Sequence, residues 1–220
     1  MKEKTEKKNI SKAALARIPL YLHLLQEENA KGRQYISSTV IAQSIAVSSV
    51  LVRKDLEIVS SLSGSPRKGF AVSRLLVDME KFLGFDQLSS AIVVGAGGLG
   101  RAFLGYEGFK NNGLNVVAAF DVDTRLIGTV VSGKPIFPMQ QLKSFVKEQN
   151  IKIGIITVPK HSAQGVLDEM VAAGIKAVWN FAPAHLHAPK DIVLKTEDLA
   201  TSLAILVGEL YKTEESKPIR

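Results

Sequence analysis

Six consecutive residues have the types and spacing that could bind a phosphate group. They are Gly95, Ala96, Gly97, Gly98, Leu99 and Gly100, and they follow an apolar run at residues 90–94 and open a helical pattern at 99–109. The first glycine of such a G-x-G-x-x-G segment permits a tight turn, and the second lets the backbone approach a pyrophosphate. The third permits close packing of helix on strand. Because a helix N-terminus attracts anions, the segment is typical of a dinucleotide site.

An acidic residue lies at the distance expected of such a site. Asp121 ends a second apolar run, residues 115–120, and follows Gly100 by 21 residues. A carboxylate there can accept hydrogen bonds from the adenosine ribose and would repel a 2′-phosphate. We therefore expect NAD(H), as NADH or NAD+, rather than NADP(H). Arg125 lies close enough in the sequence to keep NADP(H) open as the alternative.

Strands and helices alternate through the rest of the C-terminal part. Apolar runs at residues 151–158, 177–181 and 192–194 alternate with helical patterns at 162–173 and 199–211. This alternation predicts an α/β fold, a doubly wound parallel sheet that binds ligands beyond the carboxyl ends of its strands. Residues at two of these strand ends could contact the cofactor or merely end the strands: Thr157, Val158, Pro159, Asn180 and Phe181.

The N-terminal part contains helical patterns and most of the positive charge. Residues 1–88 contain 14 Lys+Arg and 9 Asp+Glu, which gives +5 of the net +7. We predict a helix at residues 11–29 capped by Ser11, a second capped by Ser37 or Ser38, and a third at 49–59. Pro19 should bend the first helix or start it anew. Ala46 lies in the tight connection between the second and third helices, which is typical of a helix-turn-helix.

Hydroxyl and basic residues of the third helix fall opposite its apolar face. Serine, arginine and lysine are residue types that contact phosphates and base edges in DNA. A basic strand-loop at residues 67–72 follows, as in a winged helix, and another helix spans 73–83. The candidate DNA-binding residues are Ser48, Ser49, Arg53, Lys54, Arg67 and Lys68. A three-helix packing module with a solvated basic face is the alternative.

The composition excludes several classes of protein. The 220-residue chain has no Cys, which excludes a disulfide framework, a thiolate metal site and a Cys nucleophile. Its apolar runs are shorter than the about 18 residues of a membrane-spanning helix, and no apolar signal region follows its charged start. We expect a cytoplasmic protein with no metal and no membrane partner.

Seven short segments along the chain form one ordered set. They begin at residues 16, 52, 94, 105, 118, 157 and 180 and read ARIPLYL, VRKDL, VGAGGLG, GYEGF, AAFDVD, TVP and NFAP. The set resembles the Rex family of redox-sensing transcriptional repressors. The resemblance implies a homodimer of winged-helix and Rossmann domains, with the last helix exchanged between subunits. We expect the domains at residues 1–88 and 89–198, and a dimerisation helix and tail at 199–220.

The resemblance also implies a function and a set of residues for it. Members of the family bind double-stranded operator DNA when NADH is scarce and release it when NADH binds, and they are not enzymes. Arg53 and Lys54 match the DNA-contacting pair of the recognition helix. Arg17, Tyr106 and Asp198 match a polar network between domains near the nicotinamide, with Asp198 supplied by the partner subunit.

Two other functions remain open from the sequence. An NAD-dependent dehydrogenase would need a proton donor, for which His161, His185 and His187 are candidates. Alternatively, the chain could be an NAD(H)- or CoA-binding module with a degenerate DNA-binding half, because residues 57–70 depart from the wing sequence of the family.

Overall fold

The chain forms two compact units that divide between Gln87 and Leu88. A computed structural model describes residues 10–62, 64–65 and 68–215. Each unit has its own hydrophobic core. Across these described ranges, no helix combines the length and apolarity that spanning a bilayer requires.

Over residues 10–87, apart from the three that are not described, the N-terminal unit contains four helices. They are α1 (Lys12–Ala30), α2 (Ser38–Ser44), α3 (Ser49–Val59) and α4 (Val72–Leu83). The side chains of Ser11 and Ser37 accept hydrogen bonds from backbone N–H groups of α1 and α2, which confirms two predicted caps. Ser48, for which no cap was predicted, accepts from α3 in the same way. Pro19 lies inside an uninterrupted α1, so the expected new start at this residue is wrong. Proline removes one backbone hydrogen bond, and the buried face around it keeps the helix packed.

The connection between α2 and α3 is a tight left-handed turn. Ala46 adopts a φ of 54°, and the N–H of Val47 donates to the carbonyl of Ala42 at 3.0 Å. Left-handed backbone is strained for residues with a Cβ, which explains why glycine is commoner in such turns. The turn sets the start of α3, and Ser48 caps it.

The segment that follows α3 up to Ala71, here called the wing, contributes one strand to a two-stranded sheet. Strand β2 (Phe70–Ala71) pairs antiparallel with β1 (Tyr35–Ile36), with Ile36 opposite Phe70. The strand predicted at residues 67–72 is therefore only two residues long, and its partner β1 was not expected. Arg67 lies outside the described residues. Gly84, with a φ of 77°, ends α4 as predicted.

The C-terminal unit is built on a seven-stranded sheet. Its strands are β3 (Ser89–Val94), β4 (Leu114–Asp121), β5 (Val130–Val131), β6 (Lys134–Pro138), β7 (Ile153–Ile156), β8 (Ala177–Asn180) and β9 (Val193–Thr196). The spatial order is β5-β6-β4-β3-β7-β8-β9, and all neighbours are parallel except β5 and β6. The chain reverses direction of winding at β3 and β7, so a crevice opens beyond their carboxyl ends. The predicted parallel α/β fold is confirmed.

Helices cover both faces of this sheet. They are α5 (Gly98–Gly105), α6 (Leu142–Glu148) and α7 (Ala163–Ala173). A further helix, α8 (Leu199–Glu215), follows β9, and its residues 199–212 are exposed. Alternate residues of β3 point to opposite faces: Ile92 packs in the core with α6 and α7, whereas Val93 packs in the core with α5. The helix predicted at residues 99–109 ends at Gly105, and a 3-10 helix (Glu107–Asn112) follows. Strands β5 and β6 and helix α6 were not predicted.

Candidate functional site

Two glycines of the loop after β3 are required by the protein itself. Gly95 has a φ of 99°, and a Cβ there would lie 2.8 Å from the backbone of Thr157. A Cβ on Gly100 would overlap the carbonyl oxygen of Gly95. These two positions fix the turn and the approach of α5 to the sheet, as the sequence predicts.

Gly97 differs from both. A Cβ built on Gly97 would meet no protein atom within 4 Å, so internal packing does not require glycine there. Gly97 is also the N-cap of α5 and supplies no side-chain acceptor to the first turn of the helix. The N–H groups of that turn are left to face an external acceptor, which is the arrangement that holds a phosphate at a helix N-terminus.

A cavity of about 280 Å³ opens beside this loop. It is lined by Val94, Gly95, Gly97, Phe120, Asp121, Val122, Asp123, Leu126, Met139, Thr157, Val158, Pro159, Ser162 and Val166. Six of the predicted cofactor residues are among them. Most of the other lining residues are apolar and come from strand ends and from the segments next to β6 and α7. Asp123 was not predicted as a site residue and appeared in the sequence only within the family segment AAFDVD. The lining combines apolar walls with two carboxylates, and such a mixture is typical of a ligand pocket.

The Asp121 carboxylate is held by three backbone N–H groups. Its Oδ2 accepts from Ala96 at 2.5 Å, and its Oδ1 accepts from Val122 at 2.7 Å and Asp123 at 2.9 Å. These bonds tie the end of β4 to the glycine loop after β3. Because a carboxylate has about four lone-pair sites, Asp121 keeps capacity for a ribose hydroxyl while it positions the loop.

Arg125 is engaged by the second carboxylate of the cavity. Its Nη2 lies 2.7 Å from Asp123 Oδ2, and its Nε lies 3.0 Å from Oδ1. Hydrogen bonds from the Arg125 side chain lower the pKa of Asp123 to about 2. The guanidinium charge is thereby balanced, so Arg125 offers little attraction for a 2′-phosphate. The cavity favours the plain ribose of NAD(H), in line with the expectation from Asp121.

The two predicted strand ends have different roles. After β7, the hydroxyl of Thr157 donates to the carbonyl of Gly95 at 2.7 Å, and this residue lines the cavity. After β8, Asn180 is fully buried: its amide donates to Ala182 and Ala184 carbonyls at 3.2 and 3.3 Å and accepts from Ala182 N–H. Asn180 therefore shapes the following loop and does not line the cavity.

Phe181 belongs to a cluster of five aromatic rings. The cluster consists of Phe103, Tyr106, Phe109, Trp179 and Phe181, with ring centroids 4.7–6.1 Å apart in each contacting pair. Tyr106 is its exposed member, with 57% of its surface accessible, and it packs edge-on against Phe109. Trp179 is the only tryptophan of the chain and donates from Nε1 to Glu197 at 3.3 Å. Its fluorescence is therefore a reporter for this part of the unit.

Asp198 caps α8 in the structure. Its Oδ1 accepts from the N–H of Thr201 at 3.0 Å and its Oδ2 from the Thr201 hydroxyl at 2.7 Å. These bonds lower the pKa of Asp198. Along the helix that it caps, Leu203, Leu206 and Leu210 are more than half exposed. The exchange of α8 between subunits, which the resemblance implies, stays a prediction.

The basic residues of α3 are presented to solvent. Arg53 and Lys54 are exposed, whereas Ser48 is occupied as the N-cap and Ser49 is half-buried. In the wing, Lys68 Nζ lies 5.7 Å from the ring centroid of Tyr35, a cation–π contact. A basic recognition helix beside a wing is the arrangement that enters a major groove and contacts the flanking backbone.

Arg17 reaches α3 through a buried carboxylate that the sequence did not single out. Its Nε and Nη2 donate to Asp55 Oδ2 and Oδ1 at 2.8 and 3.0 Å, and the hydroxyl of Tyr21 donates to Oδ2 at 2.7 Å. Asp55 and Tyr21 are buried, while the Arg17 side chain is 19% exposed. Burial and then the bond to Asp55 raise the pKa of Tyr21 to about 12. The Arg17–Asp55–Tyr21 network joins α1 to α3.

We find no candidate metal-binding site in the part of the chain that the structure describes. There, no group of three His, Asp or Glu residues could hold an ion.

Comparison with known proteins assigns both units. Residues 9–57 match the family model "Putative DNA-binding protein N-terminus", and residues 86–184 match the model "CoA binding domain". The redox-sensing transcriptional repressor Rex of Treponema denticola is 43% identical over 92% of this chain and 95% of its own.

Solved structures agree over the whole fold. RSP, a Rex-family repressor, in complex with beta-NAD+ and operator DNA is 32% identical with a TM-score of 0.86 over 97% of this chain and 100% of that one. RSP in complex with beta-NADH is 33% identical with a TM-score of 0.85 over 94% and 97%. The chain therefore belongs to the Rex family of redox-sensing transcriptional repressors.

Proposed function

We propose that this chain is a homodimeric transcriptional repressor that binds operator DNA through its N-terminal unit and releases it when NADH binds its C-terminal unit. One observation supports this most strongly. A single chain joins a recognition helix with exposed Arg53 and Lys54 to a cavity built from a dinucleotide loop and Asp121. Relatives at this similarity are Rex repressors, and one was solved with NAD+ and operator DNA. Binding, not turnover, is the function, and operator binding would locate the protein in the cytoplasm.

The NAD(H) site is assigned residue by residue. The open space at Gly97 and the first turn of α5, including Gly98, Leu99 and Gly100, would take the pyrophosphate. Asp121 would accept from the adenosine ribose, and the apolar walls would take the adenine. Val158 and Pro159 line the same cavity.

The nicotinamide end is assigned to residues outside that cavity. We assign it to the exposed Tyr106 and to Phe181 of the same aromatic cluster, to the loop shaped by Asn180, and to Asp198 of the partner subunit. The oxidised nicotinamide ring is cationic and the reduced ring is neutral. Polar and charged groups near it can therefore bind the two forms with different free energies.

The DNA surface is assigned to α3 and the wing. Arg53 and Lys54 would contact base edges or phosphates in the major groove, with Ser48 and Ser49 near the backbone. Lys68 and Arg67 would contact the flanking backbone from the wing. Because Ser48 already caps α3, its contribution to DNA binding would come from its position at the helix N-terminus.

Coupling between NADH and DNA requires a residue that responds to the nucleotide and also contacts the DNA-binding helix. Arg17 is suited to this role because its guanidinium holds Asp55 of α3 in a two-point contact. A ligand that draws Arg17 away from Asp55 would loosen the recognition helix, and one that leaves the contact intact would not. The effect of NADH on DNA affinity is then limited by its differential affinity for the two states.

DNA binding in the presence of each nucleotide tests the proposal. A duplex is first selected by the full-length chain from a randomised pool, and its binding is followed by gel shift over a range of salt. We expect affinity to fall steeply with salt and NADH to release the duplex at concentrations where NAD+, NADPH and CoA do not. Failure to select any duplex would refute the repressor function, and release by CoA but not NADH would refute the ligand.

A further inference from the structure

A second polar cluster lies where α3 ends, outside the residues assigned above. Asp78 of α4 is 8% exposed and accepts two hydrogen bonds from Ser61, from the N–H at 2.7 Å and from the hydroxyl at 2.8 Å. Arg74 donates to the same hydroxyl from Nε at 3.0 Å and Nη2 at 2.8 Å. The Ser61 hydroxyl is thus donor to Asp78 and acceptor from Arg74. We call this set the Ser61–Arg74–Asp78 clamp.

The clamp fixes the point where the recognition helix becomes the wing. Ser60 is the C-cap of α3, and its N–H donates to the carbonyl of Leu56 at 2.7 Å. Ser61 follows it directly. Hydrogen bonds to an ionised, nearly buried carboxylate are stronger than neutral ones, and a buried carboxylate without them is costly. The exit of α3 is therefore held on α4 by a carboxylate that is 8% exposed, while Ser61 itself lies at the surface.

Helix α4 is also the element through which the chain continues to the cofactor unit. It ends at Leu83, Gly84 caps it in the left-handed conformation, and β3 begins at Ser89. Strand β3 ends at Val94, directly before the glycine loop. The C-terminal end of α4 is thus followed along the chain by β3 and the glycine loop of the NAD(H) site. The clamp attaches the end of the recognition helix to this same helix α4.

We propose that Asp78 is a positioning residue for operator recognition: it sets α3 on α4 through Ser61 without contacting DNA. This proposal rests on the repressor function proposed above. Arg53 and Lys54 lie on α3 about two turns before Ser61 of the clamp. A small rotation of α3 would move both from base edges while leaving general attraction to phosphates intact. Loss of the clamp therefore lowers specific binding more than non-specific binding.

The test compares Asp78→Asn with Asp86→Asn in the full-length chain. Asp86 is exposed on the same unit, so both substitutions remove one negative charge, and Asp86→Asn measures the gain in attraction to DNA that any such loss brings. Dissociation constants are measured for the selected duplex, for an unrelated duplex and for NADH, well below each thermal midpoint. We expect the ratio of specific to non-specific affinity to fall about tenfold in Asp78→Asn relative to Asp86→Asn. Affinities for the unrelated duplex and for NADH should match the control.

A second variant keeps the test decisive if Asp78→Asn does not fold. Ser61→Ala removes the hydroxyl but keeps the N–H bond to Asp78, and Ser73→Ala on the exposed start of α4 is its control. We expect a fall of about threefold in the same ratio. An unchanged ratio in a folded variant would overturn the role of the clamp, as would an equal loss for both duplexes. If the wild-type chain selects no duplex, the repressor function and the role of Asp78 both fall.

Discussion

Replacing Gly97 with alanine separates what the ligand requires from what the fold requires. Gly97 has φ −67° and ψ −164°, an extended backbone that any residue adopts, and its Cβ would meet no protein atom within 4 Å. Gly97→Ala should therefore leave the fold intact. Because alanine restricts the unfolded chain, the free energy of unfolding should rise by about 0.4–1 kcal/mol. Scanning fluorimetry should show a midpoint raised by about 2 °C.

The same methyl group should impair nucleotide binding. It fills the space through which a pyrophosphate would approach the first turn of α5. A charge-assisted hydrogen bond contributes about 1.5–3 kcal/mol, so losing one should raise the dissociation constant for NADH by about 10- to 100-fold. Titration calorimetry, or Trp179 fluorescence, measures this change. DNA binding without nucleotide should not change, while release of DNA should need correspondingly more NADH.

Two other glycines serve as controls for this substitution. In Gly100→Ala, the Cβ would overlap the carbonyl of Gly95, so the backbone must shift and the free energy of unfolding should fall by about 1–3 kcal/mol. Gly165→Ala, in α7 with open space at its Cβ, reports the stabilisation that alanine brings away from the loop. Wild-type NADH affinity in Gly97→Ala would refute the assigned path of the pyrophosphate. A loss of stability equal to that of Gly100→Ala would refute the steric reasoning.

Four further substitutions probe separate parts of the account. Arg53→Ala should weaken operator binding by about 1–3 kcal/mol in gel shifts, with unchanged NADH affinity; a parallel loss of NADH binding would contradict its assignment. Asp121→Ala should weaken NADH binding in calorimetry and reduce the preference over NADPH, because the 2′-phosphate no longer meets this carboxylate; a preserved preference would contradict the ribose role. Asp55→Asn should lower the free energy of unfolding by about 2–4 kcal/mol in urea titrations. We expect a value near the lower limit, because the Arg17 side chain is 19% exposed and water can solvate part of its charge. Ala46→Gly should raise it by about 0.5–1 kcal/mol, since glycine adopts the φ of 54° without strain; an unchanged midpoint would show that the turn carries no strain.

Helices of the N-terminal unit were predictable because local signals and burial agree. Ser37 caps α2 where the sequence places a cap, and Ser48 caps α3 directly before its predicted start at Ser49. Val52, Leu56 and Val59 recur at three- and four-residue steps and are buried. The same holds for Gly174, whose φ of 111° ends α7. Where caps, periodicity and glycine coincide within one turn, short-range physics alone sets the element.

The shorter elements depend on contacts between distant residues. Strand β1 exists because Tyr35 and Ile36 pair with Ala71 and Phe70 across the unit, and two residues have no readable period. Strand β6 lies on β4 through Ile136 opposite Ala119. A hairpin turn with positive φ at Ser132 and Gly133 creates β5. Such pairings are decided by the partner strand rather than by the sequence of the segment.

The sequence predicted the glycine loop of the site but not the hydrogen bonds that support it. The G-x-G-x-x-G spacing identifies the turn, and Asp121 follows at the expected distance. The bonds from Asp121 to Ala96, and from Arg17 to Asp55, join residues 25 and 38 positions apart. No spacing rule covers such contacts, because they depend on how β4 meets the loop and how α1 crosses α3. Asn180 shows the same limit, since only its burial reveals that it serves the loop.

The most direct test of the central claim is reciprocity between the two ligands. Full-length chain is titrated with the selected duplex at zero and saturating NADH, and with NADH at zero and saturating duplex, at one salt concentration. If one equilibrium links the sites, NADH lowers DNA affinity and DNA lowers NADH affinity by the same factor, expected at about 5- to 150-fold, with a much smaller factor for NAD+. Saturation by NADH with an unchanged DNA dissociation constant would contradict the account.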